Sequence, residues 1–269
     1  MTPGFHRHPN GGGLVADTAH VDDTAYIGKY CVVYDQAKVL QNAQLRGLAR
    51  VTGNAIIAGN AKVKDDAHVS GDALVTDSAI ISDSARVYGN SKILEFVEIS
   101  ESACVRGRSF LSGNVKISNH ADISDARISD YVKIYGHASV YGTNVSGSAQ
   151  VFGSAQVGQG TSITGYAKVY ESACIGLLND GPEDTRIYFQ QYYEKTFCPE
   201  FLSTIDPEFD LEIRRRLESQ VRIFDNAAVY GHADISGSVQ ISGEAHVCGY
   251  SKIVDCNVTE GCINEPEPR

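Results

Sequence analysis

The sequence has no tryptophan, one methionine and no apolar run long enough to cross a bilayer as a helix. Its start, MTPGFHRHPNGGG, lacks an apolar segment of signal-peptide length, so a cytoplasmic protein is expected. Seven cysteines are an odd number at irregular spacing, without a Cys-x-x-Cys pair. That excludes a zinc-finger pattern and points to a reduced chain with no metal of its own. Cationic residues are outnumbered: 23 Lys and Arg against 33 Asp and Glu give a formal net charge of −10. This balance argues against a basic nucleic-acid-binding surface and against a polybasic membrane anchor. It leaves a solvated acidic surface, a basic protein partner or mimicry of nucleic acid. There is no phosphate-binding loop and no Gly-x-Ser-x-Gly elbow, and Gly11-Gly12-Gly13 is too short and too early for a dinucleotide fingerprint.

What is present is a period of six. Ala19/Val21, Ala25/Ile27, Cys31/Val33, Ala37/Val39 and Ala43/Leu45 follow one another at that step, and the series runs on to Ala121/Ile123. Residues i and i+2 of a strand share a face, so the small and the β-branched residue both point inward. The dipeptides that follow, such as Gly53-Asn54, Gly71-Asp72 and Gly89-Asn90, turn the chain, because Gly, Asn and Asp tolerate positive φ. Three such sides close a triangular coil, and coils stack at strand spacing, about 4.8 Å. Spacings of two and six do not fit an amphipathic helix.

The register slips by one residue at Ala121–Ala126 and at Ala138–Thr143. Nine coils precede residue 178, and the pattern resumes from Val221/Ile223 to a weaker Cys256/Val258, for about eleven coils and a prism about 50 Å long. The expected organisation is an N-terminal arm (1–13), coils (14–177), an insertion (178–220), further coils (221–258) and a flexible tail (259–269).

These hexads resemble the hexapeptide-repeat family, whose members fold as a left-handed parallel β-helix. The match covers about residues 14–176 and 221–258, and Val15-Ala16-Asp17-Thr18-Ala19-His20-Val21 looks like a first coil of such proteins. The resemblance implies an all-β fold and supplies its hand. It includes sugar and lipid-A acyltransferases, serine and xenobiotic acetyltransferases, and gamma-class carbonic anhydrases. It further implies that an enzyme of this kind works as a trimer on acyl-CoA or acyl carrier protein, with a His base at a groove between subunits. The carbonic anhydrases' close His spacing is missing here. The fold hosts several activities, so function has to come from the site.

Residues 178–220 break the period and read as two helices. Pro182-Glu183-Asp184 suits a first turn. Phe189, Tyr193 and Phe197 share one face, and Asp206-Pro207 starts a second helix with Phe209, Ile213 and Leu217 on its face. Such an insert has to bury its aromatic face on its own coil, on another subunit or on a partner. It contains no His, unlike the catalytic loops of the acyltransferases it would parallel. Arg214, Arg215 and Arg216 are candidates for CoA phosphates, against the plainer reading of a solvated helix end.

Counting sides by threes puts Tyr135, Phe152 and Tyr170 on one face of successive coils, joined by Tyr230 if the phase resumes at Val221. This aromatic column is either a structural stack or a docking strip. The same count puts His120 and His137 in one corner column of adjacent coils, with His232 three coils later. The repeat alone explains them as corner residues. As a functional corner they are the catalytic candidates, with a His deprotonating an amine or hydroxyl acceptor. Asp122 and Asp125 lie close in sequence without a spacing that makes either an orienting partner.

Two functions of different class follow. The first is a non-catalytic, homo-oligomeric scaffold that binds a protein, for instance as a phage-type or effector-type inhibitor, through its flat faces and insert and without a cofactor. The second is a CoA-dependent acyltransferase acting at the His120/His137 corner. Carboxylate mimicry of nucleic acid is a third and weaker reading, since Asp66, Asp72, Asp77 and Asp83 fall in different columns.

Overall fold

The computed structural model describes residues 4–176 and 221–265. Its strands are two to four residues long, and each pairs in parallel with the strand one coil away. They form three flat faces. Face A runs from Leu14–Ala16 to Lys252–Val254, face B from His20–Val21 to Asn257–Val258, and face C from Tyr26–Ile27 to Cys262–Glu265. The chain visits them in the order A, B, C, which defines three edges, AB, BC and CA. This is a hexapeptide-repeat parallel β-helix, the architecture that the hexads resemble. Faces B and C have 12 strands each, and face A has 12 parallel strands plus an antiparallel one, Phe5–Arg7, laid against Leu14–Ala16 across the N-terminal end.

There are thus about 12 coils, where the hexad spacing predicts eleven. The additional sides are Val15 at the start and Cys262–Glu265 at the end, the latter within the stretch expected to be a tail. The phase does resume at Val221: Thr161, Ser162 and Ile163 pair with Val221, Arg222 and Ile223. The expected helices of 178–220 lie outside the described residues.

The two inward residues of each side fill the prism. Ala55, Ile57, Ala61, Val63, Ala67 and Val69 are all 0% exposed, and the apolar cluster is continuous from Val15 to Val258. The strands bond between coils, as in Ile56 N–H to Ala73 O at 2.8 Å, and many corners add a turn bond within the coil, as in Cys31 N–H to Gly28 O at 2.8 Å. From Asp35 onward, one residue per turn adopts positive φ. Where it is Gly the next coil leaves no room for more: a Cβ on Gly53 would stand 2.9 Å from Gly71 N. Where it is acidic or amidic, the side chain has a job that φ tolerance alone does not explain. The Asp77 carboxylate accepts from Glu95 N–H at 3.0 Å, Glu95 from Gly113 N–H at 2.7 Å, and Asp130 from Gly147 N–H at 2.9 Å. These carboxylates therefore serve as caps from one coil to the next. The Asp83 carboxyl is held below its usual range by the Glu101 N–H and then by the Ser82 hydroxyl.

The departures from the repeat are not scattered. Both one-residue slips, Ile123 to Ala126 and Val140 to Thr143, fall on edge AB, as does a further short turn from Ile253 to Cys256. The insertion, between Ile175 on face A and Val221 on face B, opens from the same edge. At the two Asp-bearing short turns the carboxylate reaches back instead of forward: Asp125 accepts from Arg108 N–H at 2.9 Å and Asp255 from Ser238 N–H at 2.7 Å. A last short corner, Val258 to Gly261, lies on edge BC at the chain's end. Edge CA keeps its three-residue turn from Ile27 through to Ser251.

Candidate functional site

Because edge CA is never shortened, its columns stay in register, and both candidate features lie on it. The aromatic column takes the position just after the inward residue of face C. Tyr135 stacks on Phe152 and Phe152 on Tyr170, each with ring centroids 4.8 Å apart and planes within 3°. Tyr170 stacks on Tyr230 at 4.7 Å and 10°. The rings are half-buried, which raises the phenols of Tyr135 and Tyr170. The Tyr230 phenol is pushed up to about 12, first by its hydrogen bond with the Cys248 thiol and then by burial.

The histidine column lies two residues further along the same turn, just before face A. His120 and His137 are exposed and stack with centroids 4.8 Å apart and planes within 10°. Their main chains are fixed by His120 N–H to Gly136 O at 2.8 Å and His137 N–H to Gly153 O at 2.6 Å. The residue between the columns is glycine at 136 and 153, where a Cβ would meet backbone of the next coil at 2.7 Å. Asn119 supports the turn by accepting from Gly136 N–H at 3.1 Å. His232 occupies the same column and stacks on Tyr250 at 4.8 Å. The three candidate histidines thus share an edge, but only His120 and His137 touch.

Neither aspartate near them in sequence orients an imidazole. Asp122 forms a two-point pair with Arg106, at 3.0 and 2.8 Å. Asp125 is committed to Arg108 N–H and the Ser124 hydroxyl. On face C beside the edge, Lys133 and Lys168 are exposed two residues before Tyr135 and Tyr170, and Lys116 pairs with Glu98 at 2.8 Å.

Phe189, Tyr193, Phe197, Arg214, Arg215 and Arg216 lie outside the described residues. The insertion's two ends lie on edge AB, one full face away from the ladder on edge CA. His6 meets Asp17 at 3.1 Å, whereas His8 is buried with its Nε2 atom unpartnered. Among the described residues no group of three or more His, Cys, Asp or Glu gathers as a metal-holding cluster.

Edge BC carries a row that the hexad reading passes over. Phe96, Tyr131 and Tyr166 occupy the position just before face C on alternate coils and are 60%, 63% and 66% exposed. Asn114 and Ser148 fill the coils between, so these rings do not stack on one another as the ladder does. The signal was present in the same count of sides that found the ladder, but at a spacing of two coils instead of one.

No family model and no curated protein matches the chain. Among solved structures it is similar to the UDP-N-acetylglucosamine O-acyltransferase of Moraxella catarrhalis RH4. The identity is 17%, covering 76% of this chain and 88% of that one, with a TM-score of 0.22. The chain's own hexads define its architecture, a parallel β-helix built from six-residue repeats.

Proposed function

We propose that the protein is a CoA-dependent acyltransferase whose reaction takes place along edge CA. The observation that carries this reading is the stacked, exposed pair His120–His137 beside the aromatic ladder, on the edge that the fold keeps in register. The resemblance of the hexads to acyltransferases points the same way.

One imidazole nitrogen accepts the proton of an amine or hydroxyl acceptor as its heteroatom attacks the thioester carbon. The carbon–sulfur bond then breaks, and the CoA thiolate leaves with the proton returned from the imidazolium. The acyl-CoA is a substrate here, and the described residues offer chemistry that fits it. Lys133 and Lys168 supply cations for phosphates, and the edges of the ladder rings supply apolar surface for the pantetheine arm. A second copy along edge CA would enclose the groove, making a trimer or dimer the working form.

Titration with acetyl-CoA by calorimetry tests this reading. Saturable micromolar binding, weakened at least about tenfold by His120→Ala or His137→Ala, supports it. No heat at millimolar acetyl-CoA refutes it.

The second reading is a protein-binding scaffold. What favours it is the exposed row Phe96, Tyr131 and Tyr166, since projecting aromatics on an open edge are the residues protein interfaces use most.

A further inference from the structure

The last two coils bring together two thiols that neither reading uses. Cys248 follows the inward Val247 of face C and sits beneath Tyr230, at the foot of the ladder, only 6% exposed. Cys262 opens the final strand, Cys262–Glu265, and is exposed. The two sulfurs are 3.9 Å apart. We propose that Cys248 and Cys262 are a dithiol site that a low-molecular-weight disulfide oxidises to an intramolecular disulfide, stapling the final strand to the prism.

The sulfurs must close by about 2 Å to reach S–S bonding distance; because the two residues are a diagonal pair, the backbone of the final strand has to move with them, and that strand is the element free to do so. Cys262 pairs across the ladder with His246, two positions before the Cys248–Asn264 pair on the same strand, so the two cysteines are diagonal neighbours on one side of the sheet. The strand is hydrogen-bonded on one side only, because it ends face C. Cys248 stays put: the Ser251 hydroxyl donates to its carbonyl at 2.6 Å, and the next coil inward packs under it.

The difference in exposure sets the order of events. The accessible Cys262 thiolate attacks one sulfur of the small disulfide, expelling one thiol and leaving a mixed disulfide on Cys262. The Cys248 thiolate then attacks the Cys262 sulfur, forming the Cys248–Cys262 bond and expelling the second thiol. Two protein thiols are oxidised, one external disulfide is reduced, and both protons end on the released thiols. The consequence is structural. An unpaired strand edge at the end of a β-helix frays and recruits other strands, and the staple holds the strand that covers it.

The full chain, with Cys198→Ser and Cys256→Ser to simplify the count, would be equilibrated with glutathione disulfide and mapped by mass spectrometry. The expected product is one Cys248–Cys262 linked peptide pair, with amide exchange of residues 262–265 slowed at least about tenfold relative to the reduced protein. Cys262→Ser should abolish both changes while leaving exchange in the other coils as it was. Glutathione adducts on Cys262 with Cys248 still free would overturn the proposal. So would a link that forms without slowing exchange in the final strand.

Discussion

His120 and His137 are separated by one coil, and their rings lie 4.8 Å apart and within 10° of parallel. Two ordinary corner residues become a pair because edge CA keeps the same turn length in consecutive coils, so equivalent side chains are placed directly above one another. The same regularity stacks Tyr135 to Tyr230 two residues away. A reacting group placed on this edge sits beside a fixed apolar wall, whereas edge AB is the one that is cut short and opened.

Replacing either histidine should separate catalysis from folding. Both are exposed, and their backbone bonds do not depend on the side chain. His120→Asn or His137→Asn should leave the thermal transition within a degree or two, while acyl transfer by the residue acting as base falls about 10²- to 10⁴-fold. Parallel melting curves and CoA-release assays would check this.

The ladder should be worth most at its two inner rungs, Phe152 and Tyr170. Phe152 stacks on both sides, so Phe152→Ala removes two ring contacts and should cost about 1–3 kcal/mol. Tyr135→Ala, at the end of the stack, should cost about half as much. Urea midpoints of the two variants would show the difference.

Gly153 should not tolerate a side chain. Its φ is 72°, and a Cβ would stand 2.7 Å from Glu171 N. Gly153→Val should destabilise the protein by at least about 2 kcal/mol and loosen the His137 corner. A loss of His120–His137 ring contact would be visible as a change in their NMR shifts.

Acid should weaken the fold in two steps. His68 is half-buried, and burial, followed by the Arg50 and Arg86 charges, lowers its pKa from the ordinary value. The folded state therefore binds fewer protons than the unfolded one. The resulting stability is present above about pH 6.5 and is lost as pH falls towards the lowered value. His68→Gln should flatten the urea midpoint between about pH 7 and 5. The depressed Asp83 carboxyl acts lower, contributing above about pH 4 and losing its effect as pH falls through its folded value. Since that corner is exposed, Asp83→Ala should cost less than about 1 kcal/mol at neutral pH.

The architecture was legible because each hexad carries its own evidence: a small residue, a β-branched residue and a turn dipeptide, repeated along the chain. Ala61 and Val63 are recognisable as inward by their spacing alone. The column assignments were legible too, since stacking turns a count modulo three into spatial neighbours; His120/His137 and Tyr135/Phe152/Tyr170 meet for that reason. Cys262–Glu265 was missed because a terminal side lacks one neighbour, and its residues depart from the hexad pattern. The roles of Asp77, Glu95 and Asp130 were also hidden. Positive-φ tolerance is a local property, whereas their carboxylates bond backbone groups one coil on, whose availability depends on the stacking. Asp125 lies near the histidines in sequence without a spacing that pairs it with one, and its short turn shows why it is bound to Arg108 N–H.

The central claim is that edge CA binds acyl-CoA and uses its histidine pair. Isothermal titration of the full chain with acetyl-CoA, repeated on His120→Ala and His137→Ala, tests it most directly. The account predicts saturable micromolar binding to the native protein and at least about tenfold weaker binding to a histidine variant that remains folded. No binding at millimolar acetyl-CoA, or binding unchanged by both substitutions, would contradict it.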